Sequence, residues 1–296
     1  MLFKKNDTRG YRVFTICNIV FLGLLGLVCF LPFWHIFCKS LSSGAAVSAN
    51  LVGLWPSGFT LQSYKEALTD ARILRALWVS VERVFFGTLF TMVTTILAAY
   101  PLSFDARTFP SRRIYSCVFI FTMLFGGGTI PTYILINNIL KMTDTIWAIT
   151  VPGAVVVANT IMLMNFFRNL PKEIREAALV DGAGQIATLV KIYLPLSTPC
   201  LATLASFCVI GHWNAWFDAL LFMWDPANYP LSTYLQVVGS KLTAVKSLHD
   251  AERMMEMSQR SITSAYTIIC TVPILCSFPF LQKYIRSGLV VGAVKG

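Results

Sequence analysis

Charge is the scarcest ingredient of this chain. Only 13% of its 296 residues are Asp, Glu, Lys or Arg, about half the usual quarter of a soluble domain. A disordered chain combines low hydrophobicity with high charge, so this composition excludes one. It also argues against a single soluble domain. Histidine is rare: His35, His212 and His249 are scattered, with no H-E-x-x-H pattern. The eight cysteines (Cys17, Cys29, Cys38, Cys117, Cys200, Cys208, Cys270 and Cys276) form no C-x-x-C pair, so neither a zinc ribbon nor a thioredoxin-like site is indicated. Most sit in apolar runs and read as small buried hydrophobes. A G-x-x-x-x-G-K-[ST] phosphate loop and a G-x-S-x-G elbow are both missing. Phe125-Gly126-Gly127-Gly128-Thr129 is glycine-rich, but no Lys follows, and it reads as a break at a helix end. No cluster suits catalysis or metal binding, so no catalytic residue, metal ligand or cofactor is assigned and an integral-membrane enzyme is disfavoured.

What the chain has is apolar length: 56% of residues are hydrophobic. A bilayer core of ~30 Å needs about 20 apolar residues in a helix. Six windows qualify, near 13–34, 76–101, 114–136, 146–167, 200–224 and 262–283. The fold class expected is therefore all-α, a multi-pass membrane protein with six transmembrane helices. The first window follows Lys4, Lys5, Arg9 and Arg12, as a signal peptide would. Its apolar core is too long for one and no small-residue cleavage site follows, so it reads as an uncleaved span.

Loop charges orient the chain. With the N-terminus inside, the inside segments hold 14 Lys and Arg, from Lys4 to Lys295, and the outside segments hold nine. Both termini are expected in the cytoplasm of a plasma-membrane protein. The net charge of +10 is largely this inside bias and not a nucleic-acid footprint. Glu82 and Arg83 lie within the second window. The bland expectation is that the span starts after them or that their side chains snorkel.

The inside loop at 168–199 is the most informative stretch. Pro171 suits a first helical turn, Glu173 suits the helix dipole, and Gly182 suits a C-terminal stop. A helix is predicted over 171–181 and a second over 184–193, with Pro195 at the entry to the fifth span. Ala177 and Ala178 give a small-residue face that another surface can approach, and Glu176 beside them can accept hydrogen bonds. An ordinary capped connecting helix has the same pattern.

Glu176-Ala177-Ala178, then Gly182, then Ile192-Tyr193-Leu194-Pro195 follow the spacing EAA-x3-G-x9-I-x-L-P. On this motif the chain resembles the membrane permease subunits of binding-protein-dependent ABC importers. Ile130-Pro131-Thr132-Tyr133, Asp144-Thr145-Ile146-Trp147-Ala148, Asn165-Phe166-Phe167 and Trp213-Asn214-Ala215-Trp216 are similar to the MalG-like carbohydrate group, and Phe125 to Gly128 to Gram-positive permeases for complex oligosaccharides. The likeness spans roughly 76–296. One departure is Val79-Ser80 where that family usually has Asn-Ser.

The resemblance implies a permease with cytoplasmic coupling helices. It implies an N-terminal tail, first span and outer loop (1–75), a core permease region (76–283) and a cytoplasmic tail (284–296). It implies partners: a second, non-identical permease, two cytoplasmic ATP-binding subunits that hold the ATP and magnesium, an extracytoplasmic binding protein, a sugar or oligosaccharide, and lipid. Glu176, Ala177, Ala178, Asp181, Gly182 and Pro195 are the expected coupling residues, and the tail Gly292 to Gly296 is expected to reach the ATPase pair. A sugar path needs aromatic and amide or carboxylate groups facing inward. Trp213, Asn214, Trp216, Asp218, Tyr133, Asn159 and Asn165 are the candidates, although interfacial Trp and helix-tying amides are ordinary too. A stand-alone secondary transporter or channel is the alternative; it predicts buried ionisable residues and an internal repeat.

Overall fold

The computed structural model describes residues 9–244 and 260–276, with 279 and 282. The expected tail 284–296 lies outside the described residues. Those described form helices joined by turns and irregular connections, and among them the β structure is one isolated bridge between Ser42 and Phe59. The chain divides into two units, one of residues 1–70 and 238–269, the other of 71–237 and 270–296.

The first unit opens with α1 (Arg9–Ser40). Its apolar side chains from Val13 to Leu31 are exposed all round, as in a helix solvated by lipid or by other chains. Its far end is anchored: Cys38, Ala46, Val47 and Val52 form a small core with α2 (Gly44–Ser48). Ser43 caps α2 by accepting from the Ala46 N–H. A serine cluster ties in α3 (Gln62–Thr69) and the start of α14 (Arg260–Cys276). The Ser261 hydroxyl lies 2.8 Å from Ser63 Oγ and 2.9 Å from the Ser42 carbonyl.

The second unit is built on α4 (Ala71–Ser103), a 33-residue helix that packs against α7 (Val157–Arg168) and α11 (Thr198–Asn214). Both α1 and α4 are long and apolar enough to cross a membrane. The other windows are less regular than their hydropathy suggests. The third divides into α5 (Arg112–Leu124) and α6 (Thr129–Ile134), which runs on as a π turn to Ile139; the two halves meet at 106°. The glycine run is that break, and Gly128 at φ +86° adopts a conformation costly for other residues. The fourth is helical only from Val157, because Pro152 and Gly153 follow the short 3₁₀ turn Ile146–Ile149. The fifth starts at Thr198, two residues after α10 (Leu194–Leu196), with an 83° bend. It breaks again at Ala215–Trp216 before α12 (Phe217–Phe222). Hydropathy measures length in lipid, and these interruptions leave it unchanged.

Among the described residues of this unit, two cores stand out. One gathers Tyr100 of α4, Phe167 of α7 and Tyr193 in edge-to-face contacts with centroids 5.1 to 6.3 Å apart, over Leu163 and Leu204. The other sets Ile136, Ala148 and Ile149 against Ala219, Phe222 and Met223. At the site of the Val79-Ser80 departure, Val79 is buried and the Ser80 hydroxyl accepts from the Leu231 N–H at 2.7 Å. Leu231 opens α13 (Leu231–Ala244).

Candidate functional site

The predicted 171–181 helix is present as α8 (Lys172–Val180), with Pro171 one residue before it and Glu173 in its first turn. Its end is a full Schellman closure. The Ala183 N–H donates to the Ala178 carbonyl at 2.9 Å and the Gly182 N–H to Leu179 at 3.1 Å. Gly182 takes φ +79°, so the glycine is required by backbone sterics. Ala178 is buried, whereas Glu176, Ala177 and Asp181 are exposed, as are Leu179, Val180 and Ile186. The second predicted stretch is α9 (Gln185–Thr188) followed by a π turn Leu189–Tyr193. Pro195 is exposed in α10, while Leu194 beside it packs on the Tyr100 core.

Behind α8 lies a cleft of about 340 Å³. Asp105, Arg112, Arg168, Lys172, Arg175 and Glu176 make it strongly polar. The Arg175 guanidinium stacks 4.0 Å from the Phe104 ring centre, a cation–π contact. Lys172 Nζ donates to Asp105 Oδ2 at 2.8 Å. That hydrogen bond, and then the charge behind it, hold the Asp105 carboxyl below the usual carboxylate range and raise the Lys172 ammonium above its ordinary value.

A second cavity, of about 580 Å³, lies among α4, α7, α11 and α12. Of the seven predicted path residues, Asn159 and Asp218 line it. Tyr133 stacks on Phe222, which also lines it. The other four are placed differently. Trp213 turns away and is buried, its indole N–H donating to the Cys270 carbonyl at 3.1 Å. Asn214 bonds its own helix at Ile210. Trp216 packs on Phe217 at the helix break, and Asn165 is exposed on α7. Composition alone does not tell an inward-facing Trp from one that ties two helices together.

The cavity also holds groups that residue type did not single out. Arg83 does not snorkel and the helix does not start after it. Its side chain is 2% exposed and ion-paired to Asp218, and its Nη1 donates to the Ala215 carbonyl at 2.9 Å. Asp218 Oδ1 in turn accepts from the Ala219 N–H at 2.9 Å. Arg83 thus bridges the α11–α12 break, neutralising an acid and capping a freed carbonyl. The signal was there: an ionisable residue inside an apolar window is expensive and needs a partner. His212 lines the same wall, its Nε2 3.4 Å from Thr91 Oγ1. It fits because residue 87 is glycine: a Cβ there would sit 2.6 Å from the imidazole. No group of three metal-ligating side chains occurs among the described residues.

Comparisons with known proteins agree with this architecture. Protein LplC of Bacillus subtilis is 38% identical over 293 residues, covering 98% of both chains. The polygalacturonan/rhamnogalacturonan transport system permease protein YtcP of the same organism is 34% identical, covering 96% of this chain and 99% of that one. A chain from the crystal structure of a bacterial ABC transporter that imports the acidic polysaccharide alginate superposes with a TM-score of 0.84 at 28% identity, covering 95% of this chain and 99% of that one. Residues 76–291 match the family described as binding-protein-dependent transport system inner membrane component, and the chain belongs to that family.

Proposed function

We propose that this chain is one of two non-identical permease subunits of an ATP-driven importer, carrying a sugar or oligosaccharide delivered by an extracytoplasmic binding protein. The family is one of membrane transport components, not enzymes. Carbohydrate as the cargo is supported by relatives named for it, among them YtcP and the maltodextrin permease MdxG of Bacillus subtilis. In this reading the six apolar windows are six spans, both termini are cytoplasmic, and ATP and magnesium belong to two partner subunits. The observation that carries the coupling role is α8. Its Schellman end and buried Ala178 fix it on the unit while Glu176 and Ala177 stay exposed. That is the form a docking helix needs. Asp181 and Gly182 close it, and Pro195 marks where the loop returns to α11. The 580 Å³ cavity is the candidate path.

The buried Arg83–Asp218 pair is also what a stand-alone secondary transporter would carry. Family membership and the exposed EAA helix favour the ATP-driven reading. The test is Glu176→Lys in the assembled importer. Transport in reconstituted vesicles is expected to fall by about 5- to 150-fold, the usual range of a coupling free energy, while the complex keeps its thermal unfolding midpoint. Wild-type uptake by this variant would remove α8 from the coupling role.

A further inference from the structure

We propose that Arg83 and Asp218 together form a saccharide-reading element in the cavity wall, one that takes two neighbouring uncharged hydroxyls and disfavours a carboxylate. The proposal rests on the reading of this cavity as the sugar path. Three observations carry it. First, a guanidinium has five N–H donors in one plane. The Ala215 carbonyl and Asp218 engage Nη1 and Nη2, and Nε is buried with no partner. A buried, unpaired donor in a native site calls for an explanation, and an incoming oxygen provides one. Second, Asp218 is 33% exposed and lines the cavity beside Arg83, with acceptor capacity left on both oxygens. Donor and acceptor therefore stand side by side. A vicinal diol meets both: one hydroxyl accepts from the guanidinium and its neighbour donates to the carboxylate. Third, these two are the only formally charged groups among the described residues that line the cavity, and they cancel. A carboxylate entering the cavity gains Arg83 but is repelled by Asp218, whereas hydroxyls use both. The rest of the wall suits a sugar, with Thr132, Asn159 and His212 as hydrogen-bonding groups and Phe207 and Phe222 as apolar faces.

The pair also bridges a helix break, so the test must separate reading from propping. The assembled importer, purified with its partner subunits, is probed by saturation-transfer NMR with a galacturonate trisaccharide and with its uncharged methyl ester, each at millimolar concentration. The wild type is expected to favour the ester. Asp218→Asn leaves Arg83 uncompensated and should shift the acid-to-ester ratio toward the acid by about tenfold, equivalent to about 1.4 kcal/mol. Arg83→Gln should shift it away from the acid. Should Arg83→Gln fail to assemble, Arg83→Lys keeps the charge without the planar fork and should weaken the ester signal relative to wild type. Asn159→Trp, which fills the cavity, should abolish both signals. Signals lost in Asn159→Trp but with a ratio unmoved by the pair variants would overturn the reading element and leave the path standing. A wild type that favours the acid would do the same. Signals that survive Asn159→Trp, or no wild-type signal for either saccharide, would overturn the path itself.

Discussion

Two ion pairs stand at the two cavities described in this permease, and they differ in burial and in sequence separation. Lys172 and Asp105 meet at 2.8 Å with 71% and 62% of their side chains exposed. Arg83 and Asp218 pair across 135 residues of sequence with Arg83 2% exposed. Water and salt screen the first, and such pairs contribute little to stability. The second is shielded from water on one side, so removing either partner strands a charge. Breaking the buried pair is therefore expected to cost stability, while the exposed pair lies beside the surface from which coupling is expected. The polar cleft can thus be altered by a docking partner without threatening the fold, and the cavity cannot.

The largest expected effect tests the buried side of this comparison. Arg83→Leu leaves Asp218 unpaired beside an uncapped Ala215 carbonyl. Because Asp218 is partly exposed, the lower end of the usual range for a broken buried pair applies, about 3 kcal/mol. Thermal unfolding of the purified complex should show it, and a variant within error of wild type would erase the contrast. Gly87→Ala comes next. Its new methyl would fall 2.6 Å from the His212 ring, and displacing the imidazole should cost about 1 kcal/mol, at the low end for overpacking. The same measurement applies, and transport should fall as the ring moves into the cavity.

The smallest effect belongs to the exposed pair. Asp105→Asn should leave the unfolding midpoint unchanged. The sign of its pH dependence follows from the two shifts. Asp105 titrates lower when folded, so its contribution is present above its ordinary value and fades as pH falls through the folded one. Lys172 titrates higher when folded, so its contribution is complete below its ordinary value and fades as pH rises through the folded one. Between those limits the wild type and Asp105→Asn should unfold with parallel pH profiles. A constant offset between the two profiles at neutral pH would show that the exposed pair carries more than expected.

Much of the EAA loop was legible in the sequence. Pro171, Glu173 and Gly182 act locally, through a missing N–H, a helix dipole and a left-handed backbone, and α8 begins and ends within a residue or so of the predicted limits. The cavity was legible only in part. Asn159 and Asp218 line it, but Trp213 does not, because its indole is claimed by the Cys270 carbonyl of another helix. Hydropathy also merged pieces that the backbone separates, at Phe125–Gly128, Pro152–Gly153, Ser197 and Ala215–Trp216.

The sequence by itself determined the membrane class, the EAA helix with its glycine stop, and the likeness to importer permeases. Each depends on residues near one another along the chain, where length, periodicity and capping operate. Only the tertiary structure decided that Arg83 reaches Asp218, that Gly87 makes room for His212, and which inward candidates face the cavity. Those outcomes depend on which faces of α4, α7 and α11 meet. Packing of distant segments fixes that, and no local pattern records it.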